Sequence, residues 1–189
     1  MGLPWDFAPI DADRLRLRIM TADDLDDVHA YQGREDVARY LAHGARSREE
    51  VAAAIAEYAA ATRIAADGDW IEPAIEVAGR VVGHLHLKLH SVRHLGAEIG
   101  WTLHPDAAGR GYATEAATAL LDVAFGAMGL HRVRAELDPR NAASVALCRR
   151  LGMREEAHHV RDFRDERIPG GWGDTGVWAI LADQWEDRR

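Results

Sequence analysis

The stretch from residue 96 to residue 128 constrains this chain more than any other. Gly96-Ala97-Glu98-Ile99-Gly100-Trp101-Thr102-Leu103 reads as a strand and stops at His104-Pro105. Two glycines follow at 109 and 111. Thr114 to Met128 then places Ala116, Ala117, Leu120, Leu121, Ala124 and Phe125 on one helical face. The first turn of a helix has backbone N–H groups without partners, and its macrodipole favours an anion there. Glycines let the backbone approach that anion closely. The loop Gly109-Arg110-Gly111-Tyr112-Ala113-Thr114 is therefore a candidate phosphate cradle. It has neither the GxxxxGK[ST] of a P-loop nor the GxGxxG of a dinucleotide fold.

The rest of the chain supplies a frame for this unit. Arg14-Leu15-Arg16-Leu17-Arg18-Ile19 alternates like a half-buried strand. Thr21-Ala22-Asp23-Asp24 caps a helix expected to run to about Gln32, and its acidic side chains read as a solvated face. Ser47-Arg48-Glu49-Glu50 is a capping box, which predicts a helix to about Ala66. Strands are expected over Trp70 to Val77, Val81 to Leu89, His131 to Leu137, Met153 to Arg161 and Thr175 to Leu181. A helix from Asn141 to Leu151 stops at Gly152. The Pro169-Gly170-Gly171-Trp172-Gly173 loop separates the last two strands, and Trp172 there is expected in the wall of an acceptor cleft. The order lacks both the regular alternation of a doubly wound fold and an internal repeat.

Composition excludes several functions. A formal charge of -8 disfavours nucleic-acid binding, which calls for a basic face, and mildly favours a cationic acceptor. The single cysteine, Cys148, cannot form an intramolecular disulfide. No signal peptide or membrane-length apolar run is evident, so a cytoplasmic protein with no membrane partner is expected. His84, His86 and His90 share one strand face with Lys88; two His two apart can bind zinc, but no further ligand of suitable spacing follows nearby, so no metal is expected.

Ala97 to Pro105, running into Gly109 to Ala116, resembles the acyl-CoA signature of the GNAT acetyltransferases. Asn141-Ala142-Ala143-Ser144, followed by an apolar run and Leu151-Gly152-Met153, resembles the second signature of that family. The similarity runs from Arg14 to about Trp185 and is strongest to the Rim-type branch, which includes the ribosomal-protein N-terminal alanine acetyltransferases. There are two departures. Ala108 stands where the family loop commonly opens with Gln or Arg, and Cys148 stands where many members place a Tyr.

The resemblance implies an α/β GNAT fold: one domain over 1–189 with its core at about 14–185, and a mixed, mostly antiparallel sheet with helices on both faces. The sheet splays between its fourth and fifth strands, where the Glu98 strand meets the His131-to-Leu137 strand. It also implies acetyl-CoA as cofactor and direct transfer to a primary amine, such as a protein N-terminus or a small amine. The cofactor is expected on Trp101, Thr102, Leu103, Gly109, Arg110, Gly111, Tyr112, Ala113, Thr114, Asn141, Ser144 and Cys148. Arg149 and Arg150 are candidates for its 3'-phosphate, with surface solvation the equal alternative. Ser144 is the expected acid for the departing thiolate, with Cys148 as the alternative. Glu98 is the expected base, acting directly or through water. Backbone N–H groups of the Glu98 strand polarise the thioester carbonyl. A non-catalytic acyl-CoA-binding regulatory domain, a succinyl donor and an aminoglycoside acceptor are the alternatives, and a homodimer is compatible with the family.

Overall fold

The computed structural model describes residues 2 to 188. Strands β1 (Trp5–Asp6), β2 (Ile10–Asp11) and β3 (Arg16–Arg18) lead to helices α1 (Leu25–Gln32), α2 (Glu35–Ala38) and α3 (Arg48–Ala60). Then come β4 (Arg63–Ile64), β5 (Trp70–Ile71), β6 (Ala74–Val77), β7 (Arg80–Ser91) and β8 (Gly96–Leu103). The chain continues through α4 (Tyr112–Phe125), β9 (Arg132–Leu137), α5 (Ala142–Arg150), β10 (Arg154–Arg164), β11 (Trp172–Leu181) and α6 (Ala182–Glu186).

Most local signals act as expected. Ser47 and Glu50 close the capping box, Glu50 N donating to Ser47 Oγ at 3.2 Å and Ser47 N to Glu50 Oε2 at 2.7 Å. The helix ends at Ala60, short of the Ala66 expected, because long-range pairing takes over. Arg63 and Ile64 pair with Asp6 and Trp5, and Phe7 N donates to the Thr62 carbonyl at 2.8 Å. The expected strand from Trp70 to Val77 breaks at Glu72-Pro73, since proline has no N–H for the ladder. Trp172 stands at the start of β11 rather than in a loop, paired with Arg164.

The main sheet runs in the order β10-β11-β9-β8-β7-β6-β3-β2, with β5 paired to β7. One apolar layer packs the sheet against α4 and α5 through Leu85, Leu87, Ile99, Ala117, Leu120, Leu121 and Leu147. A second, under α1 and α3, joins Val28, Tyr31, Val51, Ile55 and Tyr58 to Ala74 and Val81. Helices thus cover both faces, and none of the described ones is long and apolar enough to cross a membrane.

The pairing of β8 with β9 positions the site. All the other pairs of the main sheet are antiparallel, but this one is parallel and short, joining only Gly96–Glu98 to Arg132–Arg134. β9 stays paired to β11 as far as Leu137, and β8 to β7 as far as Leu103. The strands therefore diverge beyond Glu98. The edge of β8 from Ile99 to Leu103 is left without a strand partner on that side.

Candidate active site

A cleft of about 830 Å³ opens at this divergence, lined by Trp101, Thr102 and Leu103 from β8, by the glycine loop, and by the start of α5. Gly109 and Gly111 have φ of 74° and 85°, a region side-chain-bearing residues rarely enter. Gly111 is the N-cap of α4. Glu115 N donates to its carbonyl at 3.0 Å, leaving the preceding amides of the first turn outside the helical ladder. The chain has built a donor-rich end facing an open cleft.

The opposite wall is fixed by α5. Asn141 caps it, accepting from Ser144 N at 3.2 Å, and its own N–H donates to the Asp138 carbonyl at 2.9 Å. Asp138 is held in turn by Arg140, whose N and Nε donate to Oδ1 at 2.8 and 2.9 Å. Burial alone would raise the Asp138 carboxyl, but the Arg140 hydrogen bonds outweigh it and hold the group below the usual range. Across the cleft, Trp101 Nε1 donates to Ser144 Oγ at 3.0 Å. Arg150 Nε reaches Thr114 Oγ1 at 3.2 Å, tying α5 to the first turn of α4.

Of the residues singled out from sequence, Trp101, Thr102, Leu103, Gly109, Gly111, Tyr112, Ala113, Thr114, Asn141 and Ser144 come together on this one cleft. Arg110 and Cys148 do not. The Arg110 side chain lines a separate hollow with Asp27, Arg80 and His104, and only its carbonyl faces the clamp described below. Cys148 is fully buried in the core among Leu147, Leu151 and the α4 side chains, and burial pushes its thiol up to about 12. It lies one turn beyond Ser144 but packs with the core side chains and does not line the cleft.

Glu98 also departs from the cleft. It sits on the zipped end of β8, on the face opposite Trp101, with Oε2 3.0 Å from His90 Nε2 and 3.3 Å from Arg134 Nη2. His84 and His86 form a hydrogen-bonded array with Glu72 and Tyr31. Burial drives His84 down to about 4, so it is neutral at pH 7. Among the described residues, no group of three or more His, Cys, Asp or Glu is placed to hold a metal.

The cleft wall includes residues that no local signal marks: Arg14, Val37, Tyr40 and Leu147. Tyr40 lines a second cavity as well. That cavity, of about 760 Å³, is bounded by His43, Glu136, Asp138, Asp162, Asp165, Glu166 and Arg167 among others. His43 Nδ1 lies 2.8 Å from the Gly44 carbonyl, which can only accept, so Nδ1 is the donor in that bond. Arg167 spans the cavity wall. It donates to the Ala38, His43 and Leu41 carbonyls at 3.1, 2.7 and 2.6 Å, and its Nη2 donates to Asp165 at 2.8 Å. Trp172 is exposed under Arg164 and belongs to neither cavity wall.

The sequence profile of the acetyltransferase (GNAT) domain matches residues 14–154. The chain belongs to the GNAT acetyltransferase family. A GNAT relative, an uncharacterised N-acetyltransferase YnaD of Bacillus subtilis (strain 168), is 31% identical over 181 residues, covering 93% of this chain and 98% of the relative. The acetyltransferase (GNAT family) structure from Bacillus anthracis superposes with a TM-score of 0.82 at 28% identity, covering 93% and 99% of the two chains. A proposed ribosomal-protein-serine acetyltransferase from Vibrio cholerae shares the fold, with a TM-score of 0.72 at 21% identity over 96% and 99% of the chains. This GNAT protein is accordingly an acyl-CoA-dependent N-acetyltransferase.

GNAT acetyltransferases in general take their acyl group from acetyl-CoA, and the cleft suits that molecule. The open α4 amides and positive-φ glycines form the kind of donor end that suits a diphosphate. Val37, Tyr40, Leu103 and Leu147 offer apolar walls to a pantetheine arm. The unpaired edge of β8 offers backbone hydrogen bonds.

Proposed function

We propose that this GNAT enzyme transfers an acetyl group directly from acetyl-CoA to a primary amine carried by a cationic acceptor, within a ternary complex. Tyr40 carries this reading. It is common to the cofactor cleft and the second cavity, so donor and acceptor can be held at once on either side of one side chain. The acceptor cavity includes Asp162 and Glu166, which have no hydrogen-bond or ion-pair partner among the described residues, alongside Glu136 and Asp138. Carboxylates of this kind attract an ammonium group. The resemblance of the signature segments to the Rim-type branch favours a protein N-terminus, and a small polyamine or aminoglycoside meets the same charge requirement.

In the reaction the amine attacks the thioester carbonyl, and the developing oxyanion accepts from backbone N–H groups on the free edge of β8. As the tetrahedral intermediate collapses, the C–S bond breaks, the thiolate takes the Ser144 hydroxyl proton, and the proton shed by the new amide nitrogen returns to Oγ. Trp101 already donates to that oxygen, so the serine's own hydrogen is free for the sulfur, and the charge left on Oγ is stabilised. The incoming ammonium must first lose a proton. Glu98 is one candidate base, acting through water from the same sheet side as Glu136. His43, in the wall of the acceptor cavity, is a second.

Thiol release measured across N-terminal peptides, polyamines and aminoglycosides tests the proposal, with both substrates varied. Intersecting initial-rate lines are expected for a cationic amine. Parallel lines, or release that no amine stimulates, would sink direct transfer. Comparing acetyl-CoA with succinyl-CoA in the same assay fixes the acyl group.

A further inference from the structure

Glu115 places a carboxylate in the first turn of α4, beside the amides that face the diphosphate. Unmatched, it would repel a bound anion across a few ångströms. Arg14, a hundred residues away in sequence, meets it. The Arg14 backbone N–H donates to Glu115 Oε1 and its Nε to Oε2, both at 2.7 Å, and Nη2 lies 2.7 Å from Oε2. The same guanidinium donates from Nη1 to the Arg110 carbonyl at 3.0 Å and stacks 5.1 Å over Tyr112. Its Nη2 is 3.2 Å from the position a Cβ on Gly111 would take, so the clamp closes directly over the glycine. Three of the five guanidinium N–H groups are engaged this way.

We infer that Arg14 is a positioning residue for the cofactor diphosphate: it neutralises Glu115 and pins the Arg110 carbonyl, so the loop meets the anion with donors only. This rests on the cleft being the coenzyme A site. A lysine would keep the charge, but not the planar fork that spans carboxylate and carbonyl together.

The test is calorimetry with coenzyme A, and acetyl-CoA kinetics, on wild type, Arg14→Gln, Glu115→Gln and the double variant. Arg14→Gln is expected to weaken binding about tenfold and raise KM, with kcat within about twofold. Adding Glu115→Gln is expected to recover most of that loss, because the exposed charge is gone. A merely structural clamp gives no recovery, since both changes remove the same bonds. If Arg14→Gln does not fold, Arg14→Lys with and without Glu115→Gln makes the same comparison. Wild type that fails to bind coenzyme A overturns the cofactor site itself. Wild-type binding with no loss in Arg14→Gln, or no recovery in the double variant, overturns the Arg14 role alone.

Discussion

Trp101 and Ser144 meet across the divergence of β8 and β9, indole Nε1 to hydroxyl Oγ at 3.0 Å. They come from the two separate signature segments, and only the splay of the sheet lets a side chain of β8 reach the first turn of α5. The bond fixes one role of the serine hydroxyl: its oxygen accepts from Trp101, so its hydrogen remains to donate elsewhere.

Ser144→Ala should therefore lower kcat by about 10² with little change in acetyl-CoA KM, the range for loss of a general acid. Trp101→Phe keeps the ring and removes the donor, so a smaller fall in kcat is expected. Steady-state kinetics on the two variants decide it. An unchanged kcat in Ser144→Ala removes the serine from the chemistry.

The choice of base is separable by pH profile. If His43 takes the amine proton, His43→Gln abolishes the acid limb of kcat/KM while Glu98→Gln keeps it. The opposite pattern assigns the role to Glu98. Loss in neither variant leaves proton removal to solvent water.

Arg167 should control the acceptor side without touching the cofactor. It bonds three carbonyls of residues 38–43 and Asp165, fastening that segment to the β10–β11 connection. Arg167→Ala is expected to raise acceptor KM about tenfold or more while acetyl-CoA KM stays within about twofold. Equal effects on both substrates would contradict the separation of the two cavities.

Cys148 should behave as a core residue. Alkylation of the native protein by iodoacetamide is expected to be slow, because burial keeps the thiol protonated up to about 12. Cys148→Ser should preserve kcat and lower stability by about 1–3 kcal/mol, from a hydroxyl buried among apolar side chains. The linkage has a definite sign. The folded thiol holds its proton to higher pH than the unfolded one, so its contribution is complete below about pH 9 and declines as pH climbs toward about 12. Denaturant midpoints for wild type and Cys148→Ser across that window measure it.

The sequence by itself determined what is local. The strand reading ending at His104-Pro105 placed β8 over its full length, the Ser47–Glu50 box opened α3, and the glycines at 109 and 111 marked an anion-ready helix start. These signals act within one or two turns of the chain, where backbone sterics and capping hydrogen bonds dominate. The end of α3 and the divergence of β8 from β9 depended on which distant strand each segment met. The same holds for side chains. Helical spacing put Cys148 near the face of Ser144, yet spacing carries angle and not depth, and packing with Leu151 and the α4 side chains buried the thiol. Arg14 and Arg167 gave no local signal, because each acts on carboxylates and carbonyls set partly by segments about a hundred residues away. The glycine loop announced an anion. Tertiary structure decided which charges surround it, because only folding brings Arg14 onto Glu115 and Tyr40 between the two cavities.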